Sequence, residues 1–143
     1  MKLSDIQETV RSIVANCPYF AGDMVLLDDG RISDVSNTFL ADPGFLVIIG
    51  PVTDTRLEAG ARGVTLVRAS LVVELWENPE VNPTRGAKDM LSAVSEVVVA
   101  ITEFRDGNGS IHFEPAADLV QLVATEPGLR GYWVSFSKLV QLS

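Results

Sequence analysis

The stretch 64–90, "VTLVRASLVVELWENPEVNPTRGAKDM", decides the fold. It opens on a strand pattern. Thr65, Val67, Ala69, Leu71, Val73 and Leu75 alternate with Val64, Leu66, Arg68, Ser70, Val72, Glu74 and Trp76. Period-two alternation puts the first set on one face of a sheet and the second on the other. The first face is almost wholly apolar and is expected to meet the core. The second is mixed, as on a sheet half covered by other elements. The stretch then crosses Asn78-Pro79 and Asn82-Pro83 and enters a helical pattern. Leu75 closes the apolar face of the strand, and Asn82 as N-cap with Pro83 at the first helical position starts the helix. Neither core nor cap requires Trp76, Glu77, Asn78 and Glu80, so these residues are expected to meet a neighbouring subunit.

Outward from that stretch, helical spacing predicts a helix from about Pro83 to Phe104. Its stripe is Met90, Leu91, Val94, Val97, Val98, Ile101 and Phe104. "RDGNGS" ends it. A hairpin follows, Leu119–Ala124 and Tyr132–Leu142, joined through "EPGLRG", with Tyr132, Val134, Phe136, Val140 and Leu142 on one side. Before the central strand, "FLVIIGPV" is a compact strand that Pro51 is expected to take out of the ladder. Residues 51–63, "PVTDTRLEAGARG", then form a long loop, with Arg56 and Arg62 flanking its tip. At the N-terminus Leu3, Ile6, Val10, Ile13, Val14 and Cys17 share a helical face, with Ser4 and Gln7 as a capping box and Pro18 as the stop. Between them, "MVLLDD" is a short strand closed by Asp29-Gly30, and "SDVSNTFLADPG" holds one helical turn. Adjacent strands favour antiparallel pairing. The expectation is one α+β domain over residues 1–143, in two layers, with two helices on one face of a mainly antiparallel sheet.

Composition agrees with a single domain. At 143 residues and 47% apolar content, the chain should bury about two-thirds of its unfolded surface. Eleven Lys and Arg stand against nineteen Asp and Glu, a net charge of −8. That balance argues against gripping nucleic acid, which needs clustered cations, but it suits a surface past which DNA slides. No apolar run is long enough to span a bilayer, and the polar start "MKLSDIQETV" lacks a signal-type segment, so a soluble, cytoplasmically made protein is expected. Cys17, the single cysteine, is expected to be a small buried hydrophobe.

Catalytic chemistry is hard to assemble from these residues. His112 is the one histidine, and no glycine-flanked nucleophile lies near it. One Cys and one His do not make a usual zinc set. The acidic pairs Asp28-Asp29, Glu77 with Glu80, and Glu114 with Asp118 match no calcium-loop spacing. "GARG" and "GNGS" lack the setting and the lysine of a phosphate-binding loop. Arg85 and Lys88 open the second helix without stacking aromatics, and suit rim contacts or plain solubility. No catalytic residue, metal or cofactor is therefore assigned. An interface enzyme built from Glu74, Glu77 and His112, and an adaptor that takes a peptide along a strand edge, are the alternatives.

The segment "VRASLVVELWENPEVNPTRGAKDMLSAVSEVVVAI" resembles phage and prophage tail proteins. The order and size of its elements are similar to the tail-terminator (tail-completion) proteins of long-tailed phages, including the lambda type. The close match is Val73 to Asn82, roughly a further twenty residues agree in character, and about the first forty-five agree in layout alone. The resemblance implies a non-enzymatic virion-assembly protein. It would form a homo-oligomeric ring, six subunits in that family, that caps the tail tube and joins it to the head. Implied partners are a second copy, the tail-tube protein and the head–tail connector, in the host cytoplasm and then in the virion tail. Arg56, Arg62, Trp76, Glu77, Asn78 and Glu80 are the residues expected at its interfaces.

Overall fold

In a computed structural model, the described residues are 2–20, 25–28, 40, 44–61, 63–82, 89–105, 113–124 and 129–142. The elements are α1 (Leu3–Ala15), a 3-10 turn (Pro18–Phe20), β1 (Val25–Leu27), β2 (Phe45–Ala61), β3 (Val64–Glu77), α2 (Met90–Thr102), β4 (Glu114–Ala124) and β5 (Arg130–Leu142). The five strands among the described residues form one sheet in the order β1-β2-β3-β5-β4, and the class is α+β.

β3 is the centre of the sheet, with β2 antiparallel on one side and β5 antiparallel on the other along its whole length. Its predicted core face is buried: Val67, Ala69, Leu71, Val73 and Leu75 all join the main cluster. Val134, Phe136 and Val140 of β5 join them, with Ile6, Val10 and Val14 of α1 and Met90, Ala93, Val94, Val97 and Ile101 of α2. α1 buries its stripe mainly against β1 and β2, and α2 buries its own against β3, β4 and β5. Burying each large apolar side chain there stabilises the fold by about 1.5–3 kcal/mol. Leu91, expected in the stripe of α2, instead faces solvent at 59% exposure.

Several expectations are corrected. β2 does not leave the ladder at Pro51. It continues to Ala61 through register shifts after Ile49, Val52 and Leu57. β1 pairs with β2 only through Ile49, and β-bulges give the proline a place without a lost ladder bond. The expected long loop is therefore strand, and the β2–β3 connection is tight, with Gly63 at φ 83°.

β1 runs parallel to β2, Val25 opposite Val47. The sheet is thus mainly antiparallel, as expected, with one parallel pair at its margin. The predicted Asp29-Gly30 turn, Pro83, Arg85, Lys88, His112 and nearly all of the predicted turn at 33–44 lie outside the described residues.

The helix starts also differ. α1 begins after Lys2, whose backbone N–H donates to Asp5 Oδ2 at 2.9 Å, in place of a Ser4–Gln7 box. Gln7 Nε2 instead donates to the carbonyls of Asp28 and Ile49, both at 3.1 Å, tying the end of β1 and the body of β2 to the helix. α1 stops at Ala15 with Asn16 as C-cap, before Pro18. α2 starts at Met90, not Pro83: Asp89 is its N-cap and accepts from the Ser92 backbone at 3.3 Å.

Candidate functional site

The residues expected at the interfaces stand in two separate parts of the sheet. Arg56 lies on β2 opposite Arg68, whereas Trp76 and Glu77 end β3. The separation along the sheet is about 26 Å at strand rise. Arg56 is exposed, and Arg62 is outside the described residues. Across from Arg56, Arg68 is held by Glu58 of β2 at 3.1 Å and Glu114 of β4 at 2.8 Å, which ties strands across the outer face.

The end of β3 does structural work that the sequence did not reveal. Glu77 is 6% exposed and accepts from Asn82 Nδ2 at 2.9 Å, while Arg130 of β5 sits 3.5 Å from its other oxygen. Asn82, expected to cap the second helix, is thus a buried partner of a carboxylate. Asn78 donates its backbone N–H to the Gly44 carbonyl at 2.8 Å, and its Oδ1 accepts from the Glu80 amide at 3.1 Å. Trp76 lies across Gly131 of β5, where any Cβ would overlap the indole ring. Only the Glu80 side chain, among these four, is fully exposed.

The outer face of the sheet carries a second feature. Leu46 and Ile48 of β2 are buried although they point away from the main cluster, and Leu46 is registered with Trp76. Beside them Glu74 accepts a hydrogen bond from Trp76 Nε1 at 3.2 Å and is registered with Trp133 of β5, which is 39% exposed. Burial raises the Glu74 pKa above the ordinary carboxylate range; the indole hydrogen bonds of Trp76 and Trp133 oppose this, and the nearby charge of Asp28 adds to it. Because the folded-state value is the raised one, ionised Glu74 weakens the fold above it, and the penalty fades as pH falls through it. Glu74→Gln is therefore expected to raise the urea midpoint at neutral pH. The gain should vanish once pH drops below about 4, the ordinary carboxylate value. Parallel urea titrations across pH check this.

Glu74 and Glu77 point to opposite faces of the sheet, since they stand three residues apart on one strand. They cannot meet in one active site. Sequence alone also missed Lys138. It continues the inward side of β5, is 3% exposed, and holds its ammonium 5.7 Å from the Phe113 ring centroid. Cys17 is half-buried rather than sealed in the core, with its Sγ 3.8 Å from Glu96 Oε2.

The margins of the sheet are the other candidate surfaces. On one side β1 covers β2 only at Val47–Ile49, and beyond that no described strand pairs with its outer edge. On the other side β4 is the edge strand and exposes Val120 (41%), Leu122 (52%) and Val123 (38%). Long apolar edges of this kind invite pairing with another chain.

No family model matches the sequence, and no curated protein matches it. Among solved structures, a crystal structure from Akkermansia muciniphila is similar at 12% identity and TM-score 0.39, covering 96% of this chain and 74% of that one. A likeness at that level supports no assignment of family or function.

Proposed function

We propose that the chain is a non-enzymatic tail-assembly subunit, a tail terminator that closes into a ring, caps the tail tube and joins it to the head. The observation that carries this reading is the apolar outer edge of β4, at the opposite margin of the sheet from the stretch of β2 edge with which no described strand pairs. Two different edges on opposite margins favour a head-to-tail contact, β4 of one copy against β2 of the next. Such contacts close into rings when the rotation permits. The resemblance of residues 73–82 to tail terminators supplies the identity of the ring. The acidic charge suits a bore through which DNA travels without sticking.

In this reading the domain has two layers, with the helices over one face of the sheet. Arg56 on β2, Glu80, the exposed part of Trp76, and Arg62 meet neighbouring subunits. Glu77 and Asn78 act within the subunit and hold that end of the sheet in shape. Partners are a second copy, the tail-tube protein and the head–tail connector, first in the host cytoplasm and then in the virion tail. No cofactor or metal is required.

Light scattering on a sizing column, over a range of protein concentrations, tests the reading. The full chain is expected to elute as one oligomer, and Leu122→Asp to shift it to monomer without lowering its melting temperature. A strict monomer at every concentration, with or without tail-tube subunits, would count against a ring. Saturable binding of extended peptides by that monomer would favour a strand-edge adaptor instead.

A further inference from the structure

The groove between α1 and α2 does not enter the edge contacts proposed for the ring. It encloses about 730 Å³ and runs from Asp5 of α1 to Pro18 just beyond that helix, with Glu96 to Ala100 of α2 and Phe104 after it as the facing wall. Its floor is apolar: Ile13 and Phe104 are half-buried against the core, and Val99 is left 48% exposed. Its rim is acidic. Asp5, Glu8 and Glu96 line it, and no Lys, Arg or His does so among the described residues. Arg11 neutralises Glu8 from outside the groove. Asp5 accepts the Lys2 backbone N–H at 2.9 Å, and Glu96 Oε2 stands 3.8 Å from Cys17 Sγ. The field extends past the groove: the Tyr19 pKa is raised first by burial, then by the charges of Asp89 and Glu96.

We propose that this groove is a docking site for an amphipathic helix of a partner protein, with apolar side chains on the face that enters and basic residues beside them. The geometry sets the length. The helical part of that wall, Asp5 to Ala15, spans about 15 Å at helical rise and Asn16 to Pro18 prolong it, which suits an occupying helix of about 14 residues. The chemistry sets the pattern. Apolar residues at i, i+3, i+4 and i+7 fill the floor, as in other helix-in-groove contacts. Lysines or arginines flanking that stripe reach the Asp5 and Glu96 carboxylates. A small molecule fits less well, because the polar groups stand along the rim and do not converge on one point.

The test uses the full chain and synthetic peptides of about 14 residues. One peptide has a leucine stripe flanked by lysines. A second has the same composition with the stripe scrambled, and a third has the lysines replaced by glutamates. Binding is read by anisotropy of labelled peptide and by the rate at which Cys17, the chain's single cysteine and part of the groove lining, reacts with a thiol reagent. The basic amphipathic peptide is expected to bind saturably and to slow the Cys17 reaction about tenfold, while the other two do neither. Glu96→Lys and Val99→Glu, at exposed positions of α2, should each weaken binding about tenfold with an unchanged melting temperature.

Failure of the basic peptide to bind, equal binding by the scrambled one, or binding that leaves Cys17 reactive would each overturn the proposal. Dissociation of an oligomer by Glu96→Lys or Val99→Glu would also overturn it, since a second copy would then fill the groove. Loss of the ring through Leu122→Asp, with peptide binding intact, would leave it standing.

Discussion

Gly44→Ala is expected to destabilise the domain by about 2–5 kcal/mol, combining a positive-φ cost of about 1–2 with an overpacking cost of about 1–3. Gly44 opens β2 with φ 87°, a conformation that L side chains rarely adopt. A Cβ placed there would come within 2.9 Å of the Asn82 backbone nitrogen and 2.9 Å of Val81 Cβ. The close approach has a purpose, because the Gly44 carbonyl accepts the Asn78 amide at 2.8 Å and fastens the start of β2 to the turn after β3. Gly63→Ala is the internal control. Gly63 has φ 83° but nothing within 4 Å of an added Cβ, so it reports the backbone cost alone. Urea unfolding of both variants should show the larger loss at Gly44 with unchanged slopes. Equal losses would mean that the turn does not press on Gly44.

Asn82→Ala is expected to cost about 2–4 kcal/mol, because it removes a donor from a carboxylate that remains buried. Glu77 and Asn82 are 6% and 5% exposed, and the 2.9 Å bond between them closes the loop from the end of β3. A buried charge that loses a hydrogen-bond donor loses compensation for its desolvation, which is the costly part of such pairs. Replacing both residues with leucine should recover part of the loss, since the charge goes with its partner. A double-mutant cycle read by thermal melting should give a coupling above about 1 kcal/mol. Additive single effects would show that the two side chains do not depend on each other.

These two residues also show where sequence reasoning reached its limit. The faces of β3 were legible because period-two alternation is local and dominated by Val, Leu and Ala. The stripes of α1 and α2 were legible in their buried members for the same reason, at helical period. Asn82 was misread because Asn-Pro is a strong local start signal, and its true partner, Glu77, is fixed only by folding of the loop between them. The strand character of residues 51–61 was hidden by Pro51, Gly60 and the charged run between, which β-bulges at an edge can absorb. The parallel pairing of β1 depends on a crossover that short apolar strands do not encode. Lys138 was passed over because lysines are rarely buried, although its stem completes the inward side of β5.

For the candidate surfaces, the contrast is similar. Sequence pointed to the end of β3, where polar and aromatic residues stand out. The apolar edge of β4 was visible only as an unremarked hairpin strand, because being an edge is a property of sheet order. The groove between the helices was equally hidden, since Asp5 and Glu96 are far apart in the chain and line one groove only because the two helices pack together.

The account stands or falls on self-association through the sheet edges. Negative-stain electron microscopy of the purified full chain is the most direct test, with class averages checked against multiples of the 15.4 kDa subunit mass. Closed rings with a central opening, lost in Leu122→Asp, are the predicted result. Particles of single-subunit size, or open filaments with no closed species, would contradict it.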